Sequence, residues 1–212
     1  MKIVITDIPL RKELKAFPYA FTRKGIANTR EAVFPINLLL ANDIVSNDNI
    51  KVILLAKEDI EGNSKNNIEY YKKELNEINK DIGANIVYET IFTPFVETKD
   101  VHEKLFRDIV NKLEEGCEIY ADMTYGPKSL PIVMFSVLNF AEKYFDADIR
   151  SIAYGKVDFV HNDKNPGVSI PANPELYEMT SLYYLNSIMN NINYNDSKEA
   201  LNALDRILNF KR

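Results

Sequence analysis

The stretch "CEIYADMTYGPKSLPIVMFSVLNFA", residues 117–141, decides how the rest of the chain is read. Its first part, "CEIYADM" (117–123), is a short apolar run with the character of a buried strand. Its last part opens the run from Pro131 to Phe145, apolar nearly all round, which we expect to be the most buried helix of the protein. The polar cassette "DMTYGPKS" lies between them as a strand-to-helix turn. Gly126 lets the backbone approach a ligand closely or take a positive φ, and Pro127 or Pro131 suits the first turn of a helix. The helix N-terminus then offers free N–H groups and a partial positive charge to an anion. Thr124 would donate a hydroxyl, and Lys128 would add a full charge. Asp122 would repel a phosphate, so its expected role is to orient Lys128 or to accept from a ribose or base. A plainer reading stays open beside this one: a strand ends in an aspartate that caps the helix, and Lys128 is solvated.

Working outward, the same alternation recurs. "KIVITDI" (2–8), "NIKVILLAKED" (49–59), "ANIVYETIF" (84–92) and "IRSIAYG" (149–155) are further strand-like runs, so that 117–123 is the fourth of five. Between them, "NNIEYYKKELNEINKDIG" (66–83) sets Ile68, Tyr71, Leu75 and Ile78 on one helical stripe. "VHEKLFRDIVNKLEEG" (101–116) does the same with Leu105, Phe106, Ile109, Val110 and Leu113; each of these helices stops at a glycine. Strands that are apolar on both faces and alternate with helices imply an α/β fold. We expect a Rossmann-like, mainly parallel sheet with helices on both faces, spanning residues 1–157. Residues 158–175, rich in Pro, Asn and Gly, are expected to form a loop or a short hairpin excursion. Residues 176–212 read as a short C-terminal helical segment with two apolar stripes. One comprises Met179, Leu182, Tyr183, Leu185, Ile188, Met189 and Ile192; the other comprises Ala200, Leu201, Leu204, Ile207 and Leu208.

Ligands of open parallel sheets sit beyond the carboxyl ends of the strands. The candidate segments are therefore "TDIPLRK" after the first strand, "TPF" after the third, the cassette after the fourth and "YGKVD" after the fifth. The candidate ligand-binding residues are Thr6, Asp7, Ile8, Pro9, Arg11, Thr93, Pro94, Asp122, Thr124, Tyr125, Gly126, Pro127, Lys128, Tyr154 and Gly155. Only seven glycines occur, and no G-x-G-x-x-G passes through them; "YGPKS" lacks the upstream glycine of a P-loop. These gaps argue against a dinucleotide dehydrogenase and a P-loop NTPase.

Charge adds one pointer. The net charge of −5 speaks against a general duplex-binding surface. Residues 1–30, however, hold seven Lys or Arg against Asp7 and Glu13, a local balance of +5. Such a segment on an acidic protein would form a focused anion site through Arg11 or Lys12, or it is scattered surface charge. Cys117 is the single cysteine, so no intramolecular disulfide or cysteine zinc cluster can form. No apolar run is long enough for a membrane span, and the N-terminus does not have the form of a signal peptide. A cytoplasmic protein without a metal or cofactor is the expectation.

The motif D-x-T-[HY]-G-x-[RK]-S-L-P, matched by Asp122, Thr124, Tyr125, Gly126, Lys128, Ser129, Leu130 and Pro131, resembles the fourth-strand motif of the CARF (CRISPR-associated Rossmann fold) family. The downstream "IRSIAYG", with Tyr154 and Gly155, and "LYEMTSLYYLN" (176–186) extend the resemblance to about residues 1–190. The first-strand loop "TDIPLRK" departs from the small-residue loop common in that family. The resemblance implies a homodimer that binds one cyclic oligoadenylate, the second messenger of type III CRISPR antiviral defence, across its two-fold axis. Cyclic tetra-adenylate is the favoured ring and cyclic hexa-adenylate the other candidate. It also implies that Lys128 and the helix N-terminus hold phosphates, the first-strand loop contacts adenine or ribose, and the third-strand loop closes the rim.

Three functions follow as competing expectations. A sensor would pass ligand binding through its C-terminal helices to an effector. The residues after the family-like region hold neither an R-x-x-x-x-H spacing nor a nuclease-like acidic cluster, and His102 and His161 read as surface residues. The stretch "LDRILNFKR" (204–212) stops in helical pattern without a cap, which suggests that the natural chain runs on; the expectation is either a sensor domain cut from a longer effector or a stand-alone member. A ring nuclease would instead cleave the ligand slowly and without metal, by attack of a ribose 2′-hydroxyl. Lys128 would stabilise the charge there, and Thr124, Tyr125 or Thr6 would orient the hydroxyl. A small nucleotide-dependent metabolic enzyme is the third reading. Sensing leads.

Overall fold

The structure, a computed structural model, describes residues 1–21, 30–161, 169–191 and 196–208. The first unit, Met1–Thr180, is a sheet of seven strands flanked by four helices. Its strands are β1 (Lys2–Asp7), β2 (Ala20–Phe21), β3 (Asn49–Lys57), β4 (Asn85–Thr93), β5 (Glu118–Asp122), β6 (Asp148–His161) and β7 (Ser169–Glu178). Its helices are α1 (Pro35–Asp43), α2 (Asn63–Asn79), α3 (Lys99–Val110) and α4 (Leu130–Tyr144). The sheet order is β2-β7-β6-β5-β1-β3-β4. The five strands from β6 to β4 run parallel; β7 is antiparallel to β6, and β2 adds two residues to its edge. This is the Rossmann-like α/β fold expected from the alternation of apolar strands and helices.

β1 is the pivot of that order. It pairs with β3 on one side and β5 on the other, Lys2 opposite both Ile50 and Glu118. Alternation along β1 sends Val4 into a core shared with Val52, Leu54, Tyr120, α1 and α2. Ile3 and Ile5, equally buried, point to the opposite face, where α3 and α4 pack on each other. The stripe Ile68, Tyr71, Leu75 and Ile78 of α2 is buried throughout, as its spacing requires.

The order of burial among the helices differs from expectation. α1, not α4, is the most deeply buried: Pro35 to Leu40 are all inaccessible. α1 packs against β5, β6 and α2, whereas α4 is covered on one side only and leaves Ile132 and Tyr144 exposed. Apolar composition all round does not make a helix central; neighbours on all sides do. The N-terminus of α1 is held by a carboxylate from another helix. Glu74 of α2 accepts from Val33 N (2.8 Å), Phe34 N (3.1 Å) and Asn37 Nδ2 (2.9 Å). Burial pushes this carboxyl up, and the three hydrogen bonds pull it back down.

Residues 158–161 and 169–175 belong to the sheet. β6 and β7 form a long antiparallel hairpin from Ala153↔Glu178 to His161↔Ser169, and residues 162–168 at its turn lie outside the described residues. The chain stays in strand conformation to Glu178, so the terminal helical segment starts at Thr180 and not at 176. The second unit, Ser181–Arg212, contains most of α5 (Thr180–Asn191) and all of α6 (Ser197–Leu208). Asp196 caps α6 by accepting from Lys198 N (2.8 Å) and Glu199 N (2.9 Å). Of the expected stripe on α5, Ile192 lies outside the described residues.

Glu74→Ala removes the acceptor from two buried backbone N–H groups and one buried amide. Each orphaned donor costs about 1–3 kcal/mol, so we expect a loss of about 3 kcal/mol or more in urea unfolding. Glu74→Gln, which keeps one acceptor, should lose less.

Candidate functional site

The parallel sheet grows in opposite directions from β1 and β5: β3 and β4 follow on the side of β1, and β6 follows on the side of β5. The carboxyl ends of β1 and β5 form the switch point at which open parallel sheets bind ligands. A cleft of about 710 Å³ lies there, lined by Asp7–Arg11 after β1, Lys57 at the end of β3, Phe95–Glu97 after β4 and Thr124–Pro127 after β5. A groove of about 780 Å³ between α3 and α4 is walled by Phe106, Val110, Ile132 and Phe140 and has no comparable convergence of strand ends.

The turn after β5 is built on Asp122. This side chain is 1% exposed, accepts from Thr6 Oγ1 (3.2 Å) and receives the Thr124 backbone N–H (2.8 Å). Thr124 in turn accepts from Gly155 N (2.9 Å), tying the turn to β6. Tyr125 donates to Val33 O (2.7 Å) and meets Phe34 edge-on. Gly126 has φ 96°, which strains any L side chain, and a Cβ there would stand 2.7 Å from Leu130 Cδ2 and 2.9 Å from Asp7 Oδ2 and push both aside. α4 begins at Leu130 with Pro131 in its first turn, so Pro131 fills the role open to either proline. Across the cleft, Asn67 of α2 donates to Pro9 O (2.7 Å) and Arg11 O (2.9 Å) and so holds the β1 loop in place.

Eight of the candidate residues meet at the cleft: Asp7, Ile8, Pro9, Arg11, Thr124, Tyr125, Gly126 and Pro127. Thr6 and Thr93 are buried beneath it, and Pro94 supplies a carbonyl to Lys57 Nζ (3.2 Å). Asp122 faces Thr6 and Thr124 and makes no bond to Lys128; its work is to shape the turn. The hydroxyls of Thr6, Thr124 and Tyr125 are likewise engaged within the protein. Gly155 is a packing residue, since a Cβ would stand 2.3 Å from Pro35 Cγ. Tyr154 is exposed on β6 beside Tyr177 and does not line the cleft. Lys128 is exposed next to the lining residue Pro127 and does not line the cleft itself. Lys12 is exposed as well, and Arg23 and Lys24 lie outside the described residues.

Three lining residues, Lys57, Val96 and Glu97, fall outside the segments read from the sequence, whereas Leu10 and Phe95 lie within "TDIPLRK" and "TPF". Glu97 joins three segments. It takes Lys57 Nζ at 3.1 Å, lies 2.9 Å from His102 Nε2 and accepts from Ser129 Oγ. The bonds from Ser129, His102 and Lys57 hold its carboxyl down at about 2. His102, expected on the open surface, is thus half-buried and paired. Position offered one signal for Lys57: it closes the second strand, where a lysine ends a continuous apolar run.

Two acids under the cleft are shifted upward. Burial raises Asp7 to about 7, opposed by the Lys57 charge and reinforced by Asp122 and Glu97. Burial raises Asp122 to about 6; although it is the more enclosed of the two, bonds from Thr124 and Thr6 limit its rise. Asp7 has no such bond among the described residues. Among those residues no group of three or more His, Cys, Asp or Glu could hold a metal ion, and no helix is long and apolar enough to cross a membrane.

No protein-family model matches the chain. The chain is similar to the CRISPR-associated protein MJ1674 of Methanocaldococcus jannaschii, with 28% identity over 115 residues. The match covers 50% of this chain and spans only 18% of the relative's length.

A carboxyl that protonates near 7 when folded and near 3.8 when unfolded keeps a proton between those values that the unfolded chain has lost. Stability therefore falls as pH rises from about 4 to about 7 and levels off above. Asp7→Asn should remove much of that fall and gain on the order of 2 kcal/mol at alkaline pH, with little gain near pH 4. Urea unfolding of both proteins across that range checks it; a parallel decline in the two would contradict the assignment.

Proposed function

We propose that this cleft binds a cyclic oligoadenylate and that the chain acts as a sensor in CRISPR antiviral defence. The observation that carries this reading is the coincidence of the 122–131 motif with the switch point of the sheet. The motif supplies the turn, the cleft opens beside it, and Arg11 makes no ion pair among the described residues. The similarity to a CRISPR-associated protein supports the same role. Arg11 at the cleft and Lys128 at its edge would meet phosphates, together with the N–H groups that precede α4. Lys57, already shared with Glu97 and Pro94 O, would add a weaker field. Ile8, Pro9, Phe95 and Val96 give the cleft apolar walls suited to a base.

A ring of repeated adenylates is rotationally symmetric, so a two-fold dimer would offer it two copies of each loop. Binding would then be passed on through the segment after β7. α5 starts at Thr180, whose hydroxyl accepts from Ile152 N (2.9 Å) in the middle of β6. Cyclic tetra-adenylate is the ring we expect to bind, with cyclic hexa-adenylate as the comparison.

Calorimetric titration with both rings, and with linear tetra-adenylate as control, tests the reading. The native chain should bind one ring per two chains. Hydrogen bonds to charged groups contribute about 1.5–3 kcal/mol each. With two copies per ring, Arg11→Ala and Lys128→Ala should each weaken binding more than about a hundredfold. Lys12→Ala, off the cleft, should change it little. Mass spectrometry of the released ligand reads whether the ring stays intact or opens to a 2′,3′-cyclic phosphate. Failure of the native chain to bind either ring would overturn the proposal.

A further inference from the structure

The cleft contains a buried acid that no described residue hydrogen-bonds. Asp7 is 7% exposed, lines the cavity and makes no hydrogen bond among the described residues. The other buried acid at these strand ends, Asp122, is satisfied by Thr6 and Thr124. Buried polar groups are nearly always partnered, and one left open toward a cavity points to a partner that arrives with the ligand. Gly126 keeps the approach clear, because a side chain there would press on the Asp7 carboxyl.

The charged and titratable groups around Asp7 come from every neighbouring strand end. Lys57 on β3 favours its ionised form. Asp122 on β5 and Glu97 after β4 disfavour it, and burial disfavours it most. Arg11 lies along its own loop, and Tyr125 is engaged with Val33 O. The Lys57 charge is divided with Glu97, 3.1 Å away. Asp7 therefore holds its proton up to about pH 7. A protonated carboxyl presents one O–H donor beside one carbonyl acceptor. A carboxylate presents acceptors only.

We propose that Asp7 reads the base of the bound nucleotide, donating its own proton to a ring nitrogen of adenine and accepting from the exocyclic amino group. The inference rests on the ligand class proposed above. Adenine sets an acceptor nitrogen next to an N–H donor, the complement of a carboxylic acid. A carboxylate would meet the ring-nitrogen lone pair with its own lone pairs. The apolar walls around Asp7, Ile8, Pro9 and Val96, suit the body of a base, and the Phe95 ring, 71% exposed at the rim, offers a stacking face. No covalent bond changes; below pH 7 the proton is in place, and above it each engaged Asp7 takes one from solvent on binding.

The test is calorimetric titration of the full chain with cyclic tetra-adenylate at about pH 6 and about pH 8.5, in buffers of differing ionisation enthalpy. The native protein should take up protons at the higher pH, and its affinity should fall about tenfold per pH unit above 7 for each Asp7 engaged. Asp7→Asn carries a donor and an acceptor at any pH. It should bind without proton uptake, with the same affinity at both values. Asp7→Ala should bind more weakly than Asp7→Asn at both, with thermal melts confirming that both variants fold. The chain contains no tryptophan, so Phe95→Trp supplies a single tryptophan, excited apart from the tyrosines, whose quenching by the ring reports base stacking. Native binding with no proton uptake would overturn the inference and leave the ligand assignment standing, as would Asp7→Asn binding no better than Asp7→Ala. Absence of native binding to the ring would overturn both.

Discussion

The geometry of the site depends on the carboxylate of Asp122. It ends β5 beside β1 and is fully enclosed, so it cannot be left without donors; Thr6 from the neighbouring strand and Thr124 from its own turn supply them. Those bonds bind two strand ends together where the sheet changes direction, and they bend the chain into the turn before α4. Thr124 passes the constraint on to β6 through Gly155 N. The same sequence of bonds fixes where Gly126 lies, and hence how closely a ligand approaches Asp7. A residue read as a partner for Lys128 acts as the anchor of the turn instead.

The site is assembled at a cost to the fold. Two buried carboxyls, Asp7 and Asp122, stand under a cleft that also carries Arg11 and Lys57. A core built for stability alone would replace Asp7 by an apolar or amide side chain. Keeping a buried acid that accepts no hydrogen bond among the described residues is a local conflict of the kind found where structure serves binding. Glu97 has a different character. It is 43% exposed, so its ion pairs contribute little to stability, yet it aligns the end of β3, the loop before α3 and the start of α4.

Much of the fold was legible because its signals are local and periodic. Apolar β-branched runs at Lys2–Asp7, Asn49–Lys57 and Glu118–Asp122 can only be buried strands, and the stripe Ile68, Tyr71, Leu75 and Ile78 can only face a core. α1 was not legible. Its nine residues carry no helical period, and its depth comes from packing on β5, β6 and α2. For residues 158–175 the sequence leaves a loop and a short hairpin open, because Pro171 and Pro174 disguise a strand near the sheet's edge; the structure has the hairpin, with both strands in the sheet.

By itself, then, the sequence determined the alternation of strands and helices, the position of the turn at 122–131 and the need for glycine within it. Each of these rests on neighbours along the chain: β-branched runs, a strand meeting a helix, a backbone that must turn without a side chain. Only the tertiary structure decided which residues share the cleft. Lys57, Phe95 and Glu97 come to Asp7 from separate strand ends, dozens of residues apart. The sheet order that joins them appears in no local pattern. Asp7 took its character the same way, since it is raised by burial and by the charges of Asp122 and Glu97, which reach it from other parts of the chain.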